Sequence, residues 1–148
     1  MTKKKNIIYW IATAWLALGM LSTGVVQLLK VKEEAVMFAR LGYPAYLLTM
    51  LGVWKILGVI AVLIPKFPLV KEWAYAGFFF AMSGAVVSHL AVGDEAKELF
   101  GPSLLLVLTA ASWYFRPAGR SLVKTKAMHE SNNSIVPGVD VYLSKAGN

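Results

Sequence analysis

Apolar runs of bilayer-spanning length recur along this 148-residue chain, and they restrict its fold more than any motif does. Ile7 to Leu29 gives 23 residues without a charge, Tyr46 to Ile64 gives 19 interrupted only by Lys55, and Trp73 to Val92 gives 20 interrupted only by His89. Each is long enough to cross a hydrocarbon core of about 30 Å as a helix. A fourth run is shorter, 14 residues from Pro102 to Phe115 or 17 from Leu99, with Pro102 placed to open a helix at its first turn. We read it as a spanning helix, with a short buried or re-entrant helix as the alternative. Only 16% of the residues are charged, against roughly 25% in an ordinary soluble domain.

These runs predict an all-α protein: a four-helix transmembrane bundle over residues 1–120, with short loops, followed by a polar C-terminal tail, 121–148, read as flexible. Lys3, Lys4 and Lys5 ahead of the first run imitate the start of a secretory signal. The run is too long for one and no small-x-small cleavage site closes it, so a retained span is expected.

Lysine and arginine in the short loops set the orientation. One side collects Lys3, Lys4, Lys5, Lys66, Lys71, Arg116, Arg120, Lys124 and Lys126, while the other holds only Lys30, Lys32, Arg40 and Lys97. Both termini are therefore expected in the cytoplasm of a multi-pass protein of the plasma (inner) membrane. The net charge of +7 is read as this topology signal, with some attraction to anionic headgroups, and not as a nucleic-acid surface, because the basic residues are scattered. There is no cysteine, which excludes a disulfide scaffold and thiol exchange by the chain's own residues.

The loops read as follows. Val31 to Leu41 could form an amphipathic helix on the outer interface, with Val31, Ala35, Phe38 and Leu41 inward and Lys32, Glu33, Glu34 and Arg40 off that face; a solvated loop is the alternative. Pro65, Lys66, Phe67 and Pro68 make a rigid inner turn, and Glu72 suits a helix N-terminus. Beyond Arg116, His129 to Ser134 reads as a polar link and Ile135 to Leu143 as a β-prone piece. No phosphate-binding glycine loop, paired histidines or metal spacing occurs, so no metal site is expected.

Lys55 lies near mid-depth of its run, too far from either surface to snorkel, and such a charge generally faces a protein interior or wet cavity. Trp15, Gly19, Thr23 and Gln27 repeat every four residues on the first helix, while Met82, Ala85 and His89 share a face of the third, beside Gly84 and Ser88. The inner half reads as aliphatic and aromatic. These placements predict an outward-facing polar cavity floored by Lys55 and walled by Gln27, Thr23, Thr49, Ser88 and His89, with Asp94 just above. Interhelical hydrogen bonding is the plainer role for the threonines, serine and glutamine, and close packing the plainer role for the glycines.

Four segments, Leu41–Tyr46, Gly52–Gly58, Lys71–Phe80 and Ser88–Asp94, together with the order and spacing of the runs, resemble bacterial DoxX-like membrane proteins over residues 7–120. The resemblance implies a small four-helix inner-membrane protein; the family name derives from a subunit of an archaeal thiosulfate:quinone oxidoreductase, and some relatives are linked to redox-stress complexes. It supplies no catalytic residues, and whether the protein is an enzyme stays open. The first functional reading is a quinone-linked redox or redox-stress accessory subunit, with electrons coming from a redox partner protein and Lys55 or His89 serving a carbonyl oxygen. The second is a binding or transport module for a small amphiphile or anion, and the third a structural membrane subunit. No cofactor is evident in the sequence, and a quinone is compatible with the expected cavity. The lipid bilayer is the expected partner, nucleic acid is not, and a homo-oligomer is compatible with the chain.

Overall fold

A computed structural model describes residues 2–117, 120 and 122–134, and among these every regular element is a helix. The order is α1 (Lys3–Leu28), α2 (Lys32–Arg40), α3 (Tyr46–Leu63), α4 (Pro68–Ala91), α5 (Ala96–Tyr114) and α6 (Leu122–Ser134). The polar stretch from His129 to Ser134, expected as a link, lies inside α6, which touches α4. The β-prone piece falls outside the described residues.

α1 packs against α3 and α5, and α4 packs against the same two, so the four long helices enclose a common interior. Its apolar centre is Leu16, Met20, Val59, Val62, Tyr75, Phe78 and Met82. Outward faces carry large apolar side chains such as Trp15, Trp54 and Trp73, each more than 60% exposed, as a hydrocarbon solvent requires. Three helices, α1, α3 and α4, are long and apolar enough to cross a membrane. The fourth run extends further N-terminally than expected: α5 begins at Ala96, so Pro102 sits inside the helix and leaves the Glu98 carbonyl without its usual helical donor.

Small residues decide how closely the helices approach. A Cβ on Gly52 would lie 2.8 Å from the Gly24 carbonyl oxygen and 2.9 Å from Leu28, and one on Gly58 would lie 2.5 Å from Phe78. Gly77 and Gly84 differ: a Cβ there would meet nothing within 4 Å, so these two do not serve close packing. Gly52→Val should therefore cost about 2 kcal/mol by forcing α1 from α3, and Gly77→Ala should be neutral or slightly stabilising; thermal unfolding in detergent reads both.

At the end away from α2, the chain reverses through Lys66 and Phe67, both at positive φ (70° and 54°), a left-handed conformation that non-glycine residues resist. What holds this turn is Lys71. The last four carbonyls of a helix have no intrahelical donor, and Pro65 offers no N–H to help. Lys71 is fully buried, and its Nζ donates to Ala61 O (3.0 Å), Val62 O (2.7 Å) and Ile64 O. Arg120 adds contacts of 3.5 Å to Val62 O and Leu63 O. Two cations thus close the negative end of the α3 dipole.

The same end carries further buried polarity, which corrects the expectation of an aliphatic and aromatic inner half. Ser112 Oγ bonds both Thr13 Oγ1 and Tyr75 Oη at 2.7 Å. Arg116, 3% exposed, lies 4.8 Å over the Tyr75 ring and donates to Glu72 Oε1 at 2.5 Å, while Trp113 Nε1 donates to Glu72 Oε2 at 2.8 Å. Glu72 is in the second turn of α4, since that helix starts at Pro68, and its partner is Arg116 in place of the helix N-terminus.

Candidate functional site

A cavity of about 490 Å³ opens between α1, α3, α4 and α5 at the α2 end of the molecule. Of the expected residues, Lys55, Thr23, Gln27, Ser88 and His89 line it. Thr49 does not: it sits on an exposed face of α3, one residue past the buried Leu48. Asp94 is not on the wall either. It stands behind His89, whose Nδ1 is 2.7 Å from Asp94 Oδ2, and it also pairs with Arg40. Trp15 shares the four-residue spacing of Thr23 and Gln27, yet four residues turn an α-helix about 400°, so each step drifts about 40°. After two steps Trp15 has rotated out to 63% exposure.

Lys55, the tenth of the 18 residues of α3, is 6% exposed and donates from Nζ to Thr23 Oγ1 at 3.3 Å. The Thr23 hydroxyl proton goes to Gly19 O (2.9 Å), which leaves its lone pairs for the lysine. No carboxylate interrupts the three long apolar runs, and α2 brings one to the cavity. Glu34 on α2 reaches the cavity wall and acts electrostatically on Lys55, although no ion pair joins the two. Glu34, Phe38 and Leu41 follow the i, i+4, i+7 spacing of one helical face, and all three line the cavity. α2 is thus a lid with one inward carboxylate, and the sequence expectation that put Glu34 on the outer face is corrected.

The lid is fastened at two points. Ser88 Oγ donates to Gly84 O at 2.8 Å, so the Tyr43 hydroxyl, 2.6 Å away, donates to Ser88. Arg40 at the end of α2 meets Asp94 at the α4–α5 connection. With its Nδ1–H held by Asp94, His89 keeps Nε2 as the nitrogen available to the cavity, an acceptor when the ring is neutral and a donor when it is protonated.

Two wall groups have no protein partner. Gln27, 5% exposed, buries Oε1 without a hydrogen-bond donor, and Glu34 Oε2 is buried in the same condition. Buried acceptors in this state cost about 1–3 kcal/mol each unless something donates to them. The acidic and basic chains on the wall are Lys55, Lys97, Glu34 and Glu98, two of each sign, beside His89 and Tyr43. Among the described residues no three His, Asp or Glu side chains converge as a metal ion would require.

Three membrane-length helices, a lidded polar cavity at one end and an apolar exterior define a small all-α integral membrane protein. Residues 11–112, well over half of the chain, match the DoxX-like family, and the chain belongs to that family. No curated protein and no solved structure matches it.

Proposed function

We propose that this protein is a multi-pass plasma (inner) membrane protein that binds the neutral polar head of a quinone-class amphiphile in the cavity beneath α2, as a redox-linked accessory subunit. In this reading α5 is the fourth span. Its 19 residues reach about 28 Å at 1.5 Å per residue, and it packs with two helices that qualify as spans. Both termini face the cytoplasm, because the α3–α4 turn and the α5 C-terminus carry the positive excess. The cavity then opens to the outer face.

The observation that carries the reading is the pair of unpartnered buried acceptors, Gln27 Oε1 and Glu34 Oε2, set in one cavity with the Lys55 donor. A head with both hydroxyl donors and an acceptor satisfies all three. A quinol has that pattern, whereas a quinone, with no O–H, offers only acceptors and meets Lys55 alone, so the reduced form should bind more tightly. A simple anion fits less well, since Glu34 shares the cavity with Lys55 and would repel it. Should the quinol be oxidised there, its two protons have bases in the Glu34 carboxylate and His89 Nε2, and its two electrons pass to a redox partner protein.

The test is binding of a decyl-chain quinol and the matching quinone to the protein in lipid nanodiscs, followed by tryptophan quenching. The expected result is saturable binding with the quinol at least tenfold tighter. Equal, non-saturable partitioning of both forms would end the proposal.

A further inference from the structure

A second cavity, about 430 Å³, lies between α3 and α4 and is lined by Trp54, Leu57, Gly58, Val70, Trp73 and Gly77 among others. It shares Leu51, Lys55 and Ala81 with the polar cavity, so the two spaces adjoin at these side chains. Apart from Lys55 its wall is entirely apolar. From Lys55 to Ala61 it runs six residues along α3, about 9 Å, toward the α3–α4 turn. Gly77 lines this groove and a Cβ there would meet nothing, so the space is open where a side chain could have filled it.

We infer that this groove holds the single apolar chain of the amphiphile whose head occupies the polar cavity, and that the ligand arrives sideways from the lipid between α3 and α4. This rests on the proposed head site. The occupant follows from the adjacency of the two spaces at Lys55: an amphiphile has one polar end and one apolar end, and the two cavities offer those surroundings beside one shared side chain. A water-borne solute would need only the opening beneath α2. The Lys55 side chain is the gate, since it borders both spaces and its Nζ is held on the polar side by Thr23 on α1.

Gly77→Leu tests this, because the new side chain projects into the groove and not into a neighbouring helix. For the decyl-chain quinol in nanodiscs, affinity should fall at least tenfold, while the chainless parent quinol should bind Gly77→Leu as it binds the unaltered protein. Unchanged binding of both would overturn the tail assignment and leave the head site standing, as would an equal loss of both. Binding of neither to the unaltered protein would remove the head site and the tail assignment together. Where Gly77→Leu fails to yield folded protein, a decyl quinol with a terminal diazirine decides on the unaltered chain: cross-links to Trp54, Leu57, Val70 or Trp73 that excess chainless quinol suppresses are expected, and labelling spread evenly over the outward faces of α1 and α5 would refute the groove.

Discussion

Lys71→Met is expected to cost about 3 kcal/mol of stability, one of the largest single losses available in this protein, because it orphans up to three carbonyls that each cost about 1–3 kcal/mol when buried unpaired. Methionine matches the lysine stem in length and keeps its packing, so the loss isolates the ammonium. Arg120 can compensate at Val62 only, from 3.5 Å, and the Ala61 carbonyl has no N–H at Pro65 to turn to. The strained Lys66–Phe67 turn would lose the group that holds it. Thermal unfolding in mild detergent, with limited proteolysis at the α3–α4 turn, reads both consequences. Lys71→Arg, which keeps a cation, should recover less than half of the loss, since a planar guanidinium does not fit a site that gathers carbonyls around a point. A Lys71→Met protein as stable as its parent would show that the carbonyls are satisfied by water and that the turn stands without its cap.

Much of the architecture is legible because hydrocarbon permits so few solutions. Uncharged runs of about 20 residues become helices, and α1, α3 and α4 fall where the hydropathy puts them. The cavity residues Thr23, Gln27, Lys55, Ser88 and His89 are legible from helical spacing and depth alone. What spacing hides is long-range partnership. Thr13 and Ser112 are 99 residues apart, and each reads singly as a small polar residue in a span; only the fold brings them to one hydrogen bond. Lys71 and Arg116 count toward the positive side in the loops, yet both are buried, one on backbone carbonyls and one on Glu72, so part of that topology signal is also structural. Glu34 is the instructive miss. Its spacing with Phe38 and Leu41 marks it as inward, but a carboxylate is ordinarily assigned to water, and only the cation at mid-depth gives it reason to turn in. Thr49 shows the converse: it has the depth of a cavity residue, but its angle around α3 turns it to the exposed face.

That relation between Glu34 and Lys55 gives the second large effect. Lys55→Met removes the buried cation of the cavity, the other wall lysine, Lys97, being exposed and paired with Glu95, and leaves Glu34 without its counter-charge, which should cost about 3 kcal/mol, the lower end of the range for breaking a buried pair because no direct ion pair joins the two. Glu34→Gln removes the other charge and strands the lysine, with a similar expected cost. The double variant carries neither charge, and replacing both partners is commonly near neutral, so its stability should return to within about 1 kcal/mol of the parent. Such a cycle gives a coupling of several kcal/mol, far above the few tenths expected of distant sites. Quinol binding should behave differently. The head loses its donor in Lys55→Met and its charged acceptor in Glu34→Gln, so affinity should drop at least tenfold in each and stay low in the double variant. Stability restored without affinity is the signature of two groups that keep each other folded but serve a third molecule. Additive stability losses would mean that Glu34 and Lys55 do not sense each other across the cavity, and restored affinity in the double variant would mean that the head is held by Gln27 and His89 without them.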